Sequence, residues 1–346
     1  MRRTAVIALS TSLFLVPCAR AASVIEQVSI DRASLNLSSG ETVTIHMRAR
    51  HASLLRLQVI DRDGFVIRTL PTSQGIAGDN RCVWDGKDDA GEVVPDEAYS
   101  FRVVADRADE YFPAARDAAM AAVDPLSYSR ATATLTYALK APSRVHVQAG
   151  TVHGAEGPVL KTIVDRQPRG AGIVAEHWNG FDESGSLYVP DLPGFAVAIA
   201  VTPLPENSVI TFGNKKRSFI EYAAQRHSQS LFRRRAHAAH HAGLDVFNDV
   251  APALTLVSDR ALRLQLHMTG PTASAFARQP GKIFVFVDSK LVMTRAATTT
   301  IEPIEIPIRD DDEHVVAVNW RSDYGPVAVG VLKMRRPSEA QGASRP

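Results

Sequence analysis

Three groupings of side chains in this sequence have the types and spacing for chemistry. His237, His240 and His241 stand at i, i+3 and i+4, a spacing that brings imidazoles together on a helix as ligands for zinc or haem iron. A zinc site would normally ask for a third ligand and for neighbours that orient the rings. No Cys-x-x-Cys-His is present, which excludes covalent haem. The carboxylate groupings are Asp61 with Asp63 and the run Asp310-Asp311-Asp312-Glu313, which suggest calcium ligation or acid–base work. The first precedes Gly64 in an expected hairpin turn, and the second falls between two strands. Neither has the twelve-residue calcium-loop spacing, so both read as solvated loops. Cys82 is the third candidate, but a thiol nucleophile needs a His and Asn partnership that the sequence does not display. Gly-x-Ser-x-Gly, His-Glu-x-x-His, a phosphate loop and the dinucleotide glycine fingerprint are all missing. A carboxylate pair assembled from distant strands stays open. The expectation is a non-enzymatic protein with no catalytic residue, metal or cofactor.

The composition that must position these residues is that of a globular protein: 346 residues, 45% hydrophobic and 22% charged. Lys plus Arg number 39 and Asp plus Glu 37, which argues against a globally basic nucleic-acid binder. Arg2 and Arg3, the apolar run Thr4 to Val16 and Ala19-Arg20-Ala21 together read as a secretory signal peptide over residues 1–21. Pro17 directly before Cys18 argues against lipidation. Cleavage would leave 36 basic against 37 acidic residues, a net charge of −1, with Cys82 as the one cysteine. A periplasmic or extracellular location follows from this reading, and no transmembrane segment is expected beyond the signal.

Period-two alternation dominates the rest. Thr42 to Met47, Leu54 to Val59, Tyr99 to Val104, Ala133 to Tyr137 and Val145 to Gln148 read as short strands, separated by turn residues. A repeat organises them. Trp84, Gly86, Asp88 and Gly91 recur as Trp178, Gly180, Asp182 and Gly185. Val94-Pro95-Asp96 recurs as Val189-Pro190-Asp191, Tyr99 as Phe195, and Val66 to Leu70 as Val159 to Ile163. A repeat near 94 residues has the size of one Ig-like sandwich. In it the tryptophan can plug the open end of the sandwich, the Asp-Gly or Asn-Gly dipeptide makes the turn, and the second aspartate can accept from turn amides.

The sequence Trp-(Asp/Asn)-Gly-x-Asp-x-x-Gly, followed by Val-Pro-Asp and an aromatic strand, resembles the Ig-like domain of the flagellar hook-capping (FlgD-type) family. Two copies are expected, over 24–107 and 128–205. The resemblance implies the fold, and a role as spacer or binding module. It does not extend to the hook cap's assembly segments. In the second copy Gly194-Phe195 stands where the first has Ala98-Tyr99.

Residues 250–336 read as a third sandwich of about six strands, with Asp288-Ser289 as a tight hairpin, and 337–346 as a disordered tail. The fold class is therefore all-β: three tandem Ig-like sandwiches with one inserted helix. That helix, within a basic linker over 206–249, opens on the capping box Ser218-Phe219-Ile220-Glu221 and runs about 25 residues towards Gly243. Ile220, Ala224 and Leu231 share its apolar face, and Tyr222, Arg226, Arg233 and His237 the opposite one. Residues 214–242 hold seven Lys or Arg and one acid, +6 against −7 for the remainder after cleavage. Three readings stand: a solvated helix packed on a sandwich, the metal site above, or a docking surface over 218–242 for an anionic partner. The docking reading assigns partner binding to Arg226, Arg233, Arg234, Arg235, His237, His240 and His241. The functional expectation is a secreted adaptor, assembly or binding component for a protein or surface polysaccharide, not a nucleic acid. Two alternatives stand beside it: a carbohydrate-active or metal-dependent third domain, and an accessory subunit of an extracellular filament or electron-transfer assembly.

Overall fold

The computed structural model describes residues 23–71, 75–105, 109–111, 121–153, 157–227, 254–258, 263–268, 281–296, 303–310, 312–321 and 328–335. Residues 1–22, and with them the expected signal peptide, lie outside the described residues, as do 228–253 and 336–346. The regular elements described are almost all strands, and three hydrophobic cores each lie between two sheets. No helix among the described residues is long and apolar enough to cross a membrane.

The first sandwich sets a sheet of β1 (Ile25–Ile30), β3 (Val43–Ala49) and β6 (Gly78–Trp84) against a larger sheet. The larger one contains β2 (Ser34–Asn36), β4 (Leu55–Ile60), β5 (Val66–Pro71), β7 (Ala98–Ala105) and β8 (Asp109–Tyr111). Alternation along β3 and β7 places Val43, Ile45, Met47, Tyr99, Phe101 and Val103 in one core.

The second sandwich follows. Its sheets are β10 (Ser127–Ser129), β11 (Thr134–Leu139) and β14 (Gly172–His177), and β13 (Val159–Arg169), β12 (Ser143–Thr151), β15 (Phe195–Pro203) and β9 (Ala121–Val123). Leu135, Tyr137, Val145 and Val147 lie between them.

After β15 the chain re-enters the first sandwich. The strand β16 (Val209–Phe212) inserts between β2, which it pairs in parallel, and β7, which it pairs antiparallel. The helix α1 (Phe219–His227) then seats Phe219, Tyr222 and Ala223 in the first core. This corrects two expectations. The segment taken as a linker supplies a strand and a helix to the first sandwich. Tyr222, expected on the polar face of α1, is instead buried with Phe219 and Ala223, and nothing is described of the side chains of Ile220 and Ala224. The reason is that an aromatic ring with a hydroxyl can be buried whole when the hydroxyl has a partner. The expected capping box is present: Ser218 N–H and Oγ both donate to Glu221 Oε2 (2.8 and 2.9 Å), and Glu221 N–H donates to Ser218 Oγ. The expected continuation of the helix to Ala242 lies outside the described residues.

The third sandwich is built from β17 (Leu254–Ser258), β18 (Arg263–Met268) and β21 (Ile304–Glu305) against β20 (Lys290–Ala296), β19 (Lys282–Val287), β22 (Glu313–Arg321) and β23 (Ala328–Arg335). It has seven described strands where about six were expected. The expected hairpin at Asp288-Ser289 is present, with both residues at positive φ (46° and 68°), the geometry of a tight two-residue turn.

Candidate functional site

The repeated turn is the most constructed feature of the molecule. Trp84 ends β6, is fully buried, and donates its indole N–H to the Lys87 carbonyl at 2.8 Å. Trp178 does the same towards the Phe181 carbonyl at 2.9 Å. Asp88 Oδ1 accepts from the amides of Ala90 (2.9 Å) and Glu92 (3.0 Å). Asp182 Oδ1 accepts from Ser186 (3.0 Å) and Leu187 (2.9 Å). Gly91 N–H bonds the Asp88 carbonyl, and Gly185 N–H the Asp182 carbonyl. Asp89 N–H reaches Ile67 in the first sandwich, as Glu183 N–H reaches Leu160 in the second. The sequence repeat is thus a repeat of hydrogen bonds.

Glycine is required at Gly86 and Gly180 on two grounds. Both have positive φ (70° and 85°). A Cβ would also lie 2.3 Å from Leu37 Cδ2 and from Tyr188 Cε2 respectively.

What covers each turn differs. In the first sandwich, Tyr222 of α1 donates its hydroxyl to Asp88 Oδ2 at 3.1 Å. Val-Pro-Asp receives the returning strand: Thr211 Oγ1 donates to the Pro95 carbonyl (2.9 Å), and Asn214 N–H donates to Asp96 Oδ1 (2.7 Å). Arg217 lies 4.5 Å over the Tyr222 ring and binds Glu92 at 2.8 Å, while Arg62 lies 4.3 Å over Phe219. In the second sandwich, Ser184 replaces tyrosine as donor to Asp182 Oδ2 (2.6 Å). Arg130 binds the Pro190 carbonyl and Asp191. Burial and the Tyr188 hydroxyl push the neighbouring Tyr128 phenol up to about 12, so its OH stays a donor, here to the Trp178 carbonyl at 3.2 Å.

The junctions are built as well. Glu97 is 3% exposed and lies between Arg62 (3.2 Å) of the first sandwich and Arg144 of the second. Between second and third, Phe286, Ala317 and Val331 join the apolar cluster of Trp178, Leu187 and Val189. There Asn319 is fully buried and acts as a substitute strand: its side chain accepts from Val159 N–H and donates to the Val159 carbonyl, both at 2.8 Å. Thr151 and Ser289 hydroxyls meet at 2.6 Å. A cavity of about 410 Å³ opens beside this seam, lined by Val152, His153, Leu160, Asp288, Ser289 and Ala317. At its rim His314 hydrogen-bonds Asp288 (2.5 Å) and Asp310 (2.6 Å), which holds its pKa above the ordinary imidazole value. Sequence reasoning missed His314, Asn319 and Glu97. Asp310 was read as part of an acidic loop.

The other sequence candidates fall as follows. The structure brings together Trp84, Gly86, Asp88 and Gly91 in one turn, and Trp178, Gly180, Asp182 and Gly185 in the other. Asp61 Oδ1 accepts from Asp63 and Phe65 amides within its hairpin (3.0 and 2.9 Å). Cys82 is buried on β6, and burial pushes its thiol pKa up. Arg226 lies on α1, and nothing is described of its side chain. Arg233, Arg234, Arg235, His237, His240 and His241 lie outside the described residues. Among the described residues no three His, Cys, Asp or Glu side chains are grouped to hold a metal ion.

The family model of the FlgD Ig-like domain matches residues 33–109, which takes in the first turn and stops before the second. No curated protein matches the chain. One similar solved structure is a tetra-tandem repeat from the extending region of a large adhesion protein, at 13% identity over 90% of this chain and 74% of that one, with a TM-score of 0.19. Another is the central fibronectin-III array of RIM-binding protein, at 11% identity over 91% and 97%, with a TM-score of 0.20.

Proposed function

We propose that this chain is a secreted, non-enzymatic, modular binding protein: an adaptor or assembly component in the bacterial envelope or outside the cell. Its modules are the sandwich over 24–107, completed by 209–227, and the sandwiches over 128–205 (with β9 at its edge) and 250–336, and residues 1–21 are removed as a signal peptide. The observation that carries the reading is the fate of the polar groups in the two repeated turns. Both aspartates, both indole N–H groups and both Val-Pro-Asp carbonyls are engaged in holding backbone or a covering element. Groups so engaged position surfaces; they do not turn over a substrate. The FlgD Ig-like match over 33–109 supports the modular reading.

The partner is a protein or a surface polysaccharide. The basic stretch within 214–242, seven Lys or Arg against one acid, favours an anionic one and assigns contacts to Arg226, Arg233, Arg234, Arg235 and the three histidines. The test is saturable binding of the labelled protein to envelope fractions and to isolated anionic surface polysaccharide. Binding should weaken with salt and fall roughly tenfold when Arg233, Arg234 and Arg235 are changed to serine. Hydrolysis of a glycan or ester panel, abolished by a single point change, would overturn the reading. N-terminal sequencing of the exported protein should begin at Ala22.

A further inference from the structure

We propose that the cavity between the second and third sandwiches binds a peptide segment that carries Lys or Arg beside an apolar side chain. At about 410 Å³ it lies in the size range of ligand pockets, and it sits where such pockets commonly form, between two packed domains. Leu160, Leu192 and Pro193 of the second sandwich and Val315 and Ala317 of the third make its apolar wall. Leu160 and Ala317 are buried, and Val152, at the open side, is 48% exposed.

One part of this wall falls where the two sequence repeats diverge. Gly194 of the second copy stands where the first has Ala98. Its φ is 77°, and a Cβ there would lie 2.3 Å from the Val152 carbonyl oxygen. Glycine alone lets the two segments close, with Val152 N–H donating to the Gly194 carbonyl at 2.8 Å.

The polar groups select the ligand. No Lys, Arg, Phe, Tyr or Trp is among the lining residues, so the cavity has no cation to hold an anion and no ring on which a sugar could stack. Asp288 is the one carboxylate that lines it. Its Oδ1 accepts from Val315 N–H (3.0 Å) and its Oδ2 bonds His314, which leaves each oxygen a further lone pair. His314 stands between Asp288 and Asp310, so the three groups together carry −1 with the imidazole protonated and −2 with it neutral. Of the neighbouring lysines, Lys333 is held by Glu313 at 3.0 Å, and Lys290 lies opposite Val287, on the face turned to the third core. The His153 imidazole and the Ser289 hydroxyl complete the polar side. A fixed negative acceptor above an apolar wall suits an ammonium or guanidinium group on an apolar body, and adjacent residues of a peptide supply both. The cavity is separate from the basic stretch within 214–242, so failure of one site leaves the other standing.

Fluorescence polarisation of the full chain with two labelled, end-blocked tripeptides tests it. Leu-Leu-Lys and Leu-Leu-norleucine share an apolar body and differ in the ammonium group. The lysine peptide should bind saturably, and roughly tenfold or more tightly than the norleucine one. Val152→Trp fills the cavity from an exposed position, without touching a core, and should remove the binding. Asp288→Asn keeps an acceptor for Val315 N–H and should cancel the preference for lysine. Changing Arg233, Arg234 and Arg235 to serine should alter neither result. The absence of saturable binding, equal affinity for the two peptides, or binding that survives Val152→Trp overturns the proposal. A lysine preference that survives Asp288→Asn overturns it equally.

Discussion

Asp88 and Asp182 each hold two turn amides, sharing the one four residues on (Glu92 and Ser186), and their second oxygens have different partners. Asp88 receives a fully buried tyrosine hydroxyl, and Asp182 a serine at the surface. Replacing Asp182 by alanine leaves the buried Leu187 amide without its acceptor and frees the Ser186 amide and the Ser184 hydroxyl, which water can reach. Replacing Asp88 also strands the Tyr222 hydroxyl in the core. We expect Asp88→Ala to cost about 3 kcal/mol and Asp182→Ala about 1–2 kcal/mol, measured by urea unfolding followed through tryptophan fluorescence. Equal losses would mean that the tyrosine contact contributes nothing. A second residue-scale prediction concerns pH. His314 is held above the ordinary imidazole value first by its hydrogen bond to Asp288 and then by Asp310. Its contribution is therefore complete below about pH 6.5 and is lost as pH rises through the raised value. Asp310 is held low by His314, so its contribution is present above about pH 3.9 and fades on acidification. The protection factor of the amides at the Asp288–Val315 pairing, the exchange rate relative to the intrinsic rate at each pH, should be greatest between those limits. His314→Gln should flatten the alkaline side.

At the scale of elements, the decisive pair is β16 and α1, which close the first sandwich after the chain has built the second. Tyr222 is wholly buried there, so Tyr222→Ala should cost roughly 3–5 kcal/mol, in the range of other large aromatic truncations. The unfolding midpoint of the full chain measures it; an unchanged midpoint would make α1 an ornament of the surface. The capping box of α1 was legible in the sequence because it is a local pattern over four residues. The buried stripe was not. Tyr222 in line with Arg226 and Arg233 reads as a polar face, and only the distant Asp88 makes it a core position. Nor was β16 legible: Val209–Phe212 is four residues long, and both of its partners lie about 110 or more residues upstream, so pairing is set by contacts that no local window contains.

At the scale of the whole molecule, the repeat announced two sandwiches because turn chemistry is local. The joints between sandwiches were hidden in strands whose apolar residues run on both parities. Ile283 and Val285 face the third core, while Phe284 and Phe286 face the second sandwich. Such a run signals burial on both faces. The seam also depends on Asn319, whose loss leaves both polar groups of Val159 without their partner. Asn319→Ala should split thermal unfolding into two calorimetric transitions, where the wild type couples the second and third sandwiches. A single unchanged transition would place the coupling in the apolar contacts alone. The central claim is that the chain is a connected body in which segment 209–227 completes the first sandwich from beyond the second. Amide hydrogen exchange of the full chain, wild type against Tyr222→Ala, tests it most directly. The account predicts that β3, β6 and β7 lose protection together with β16 while β12 and β15 keep theirs; exchange confined to residues 209–227 would contradict it.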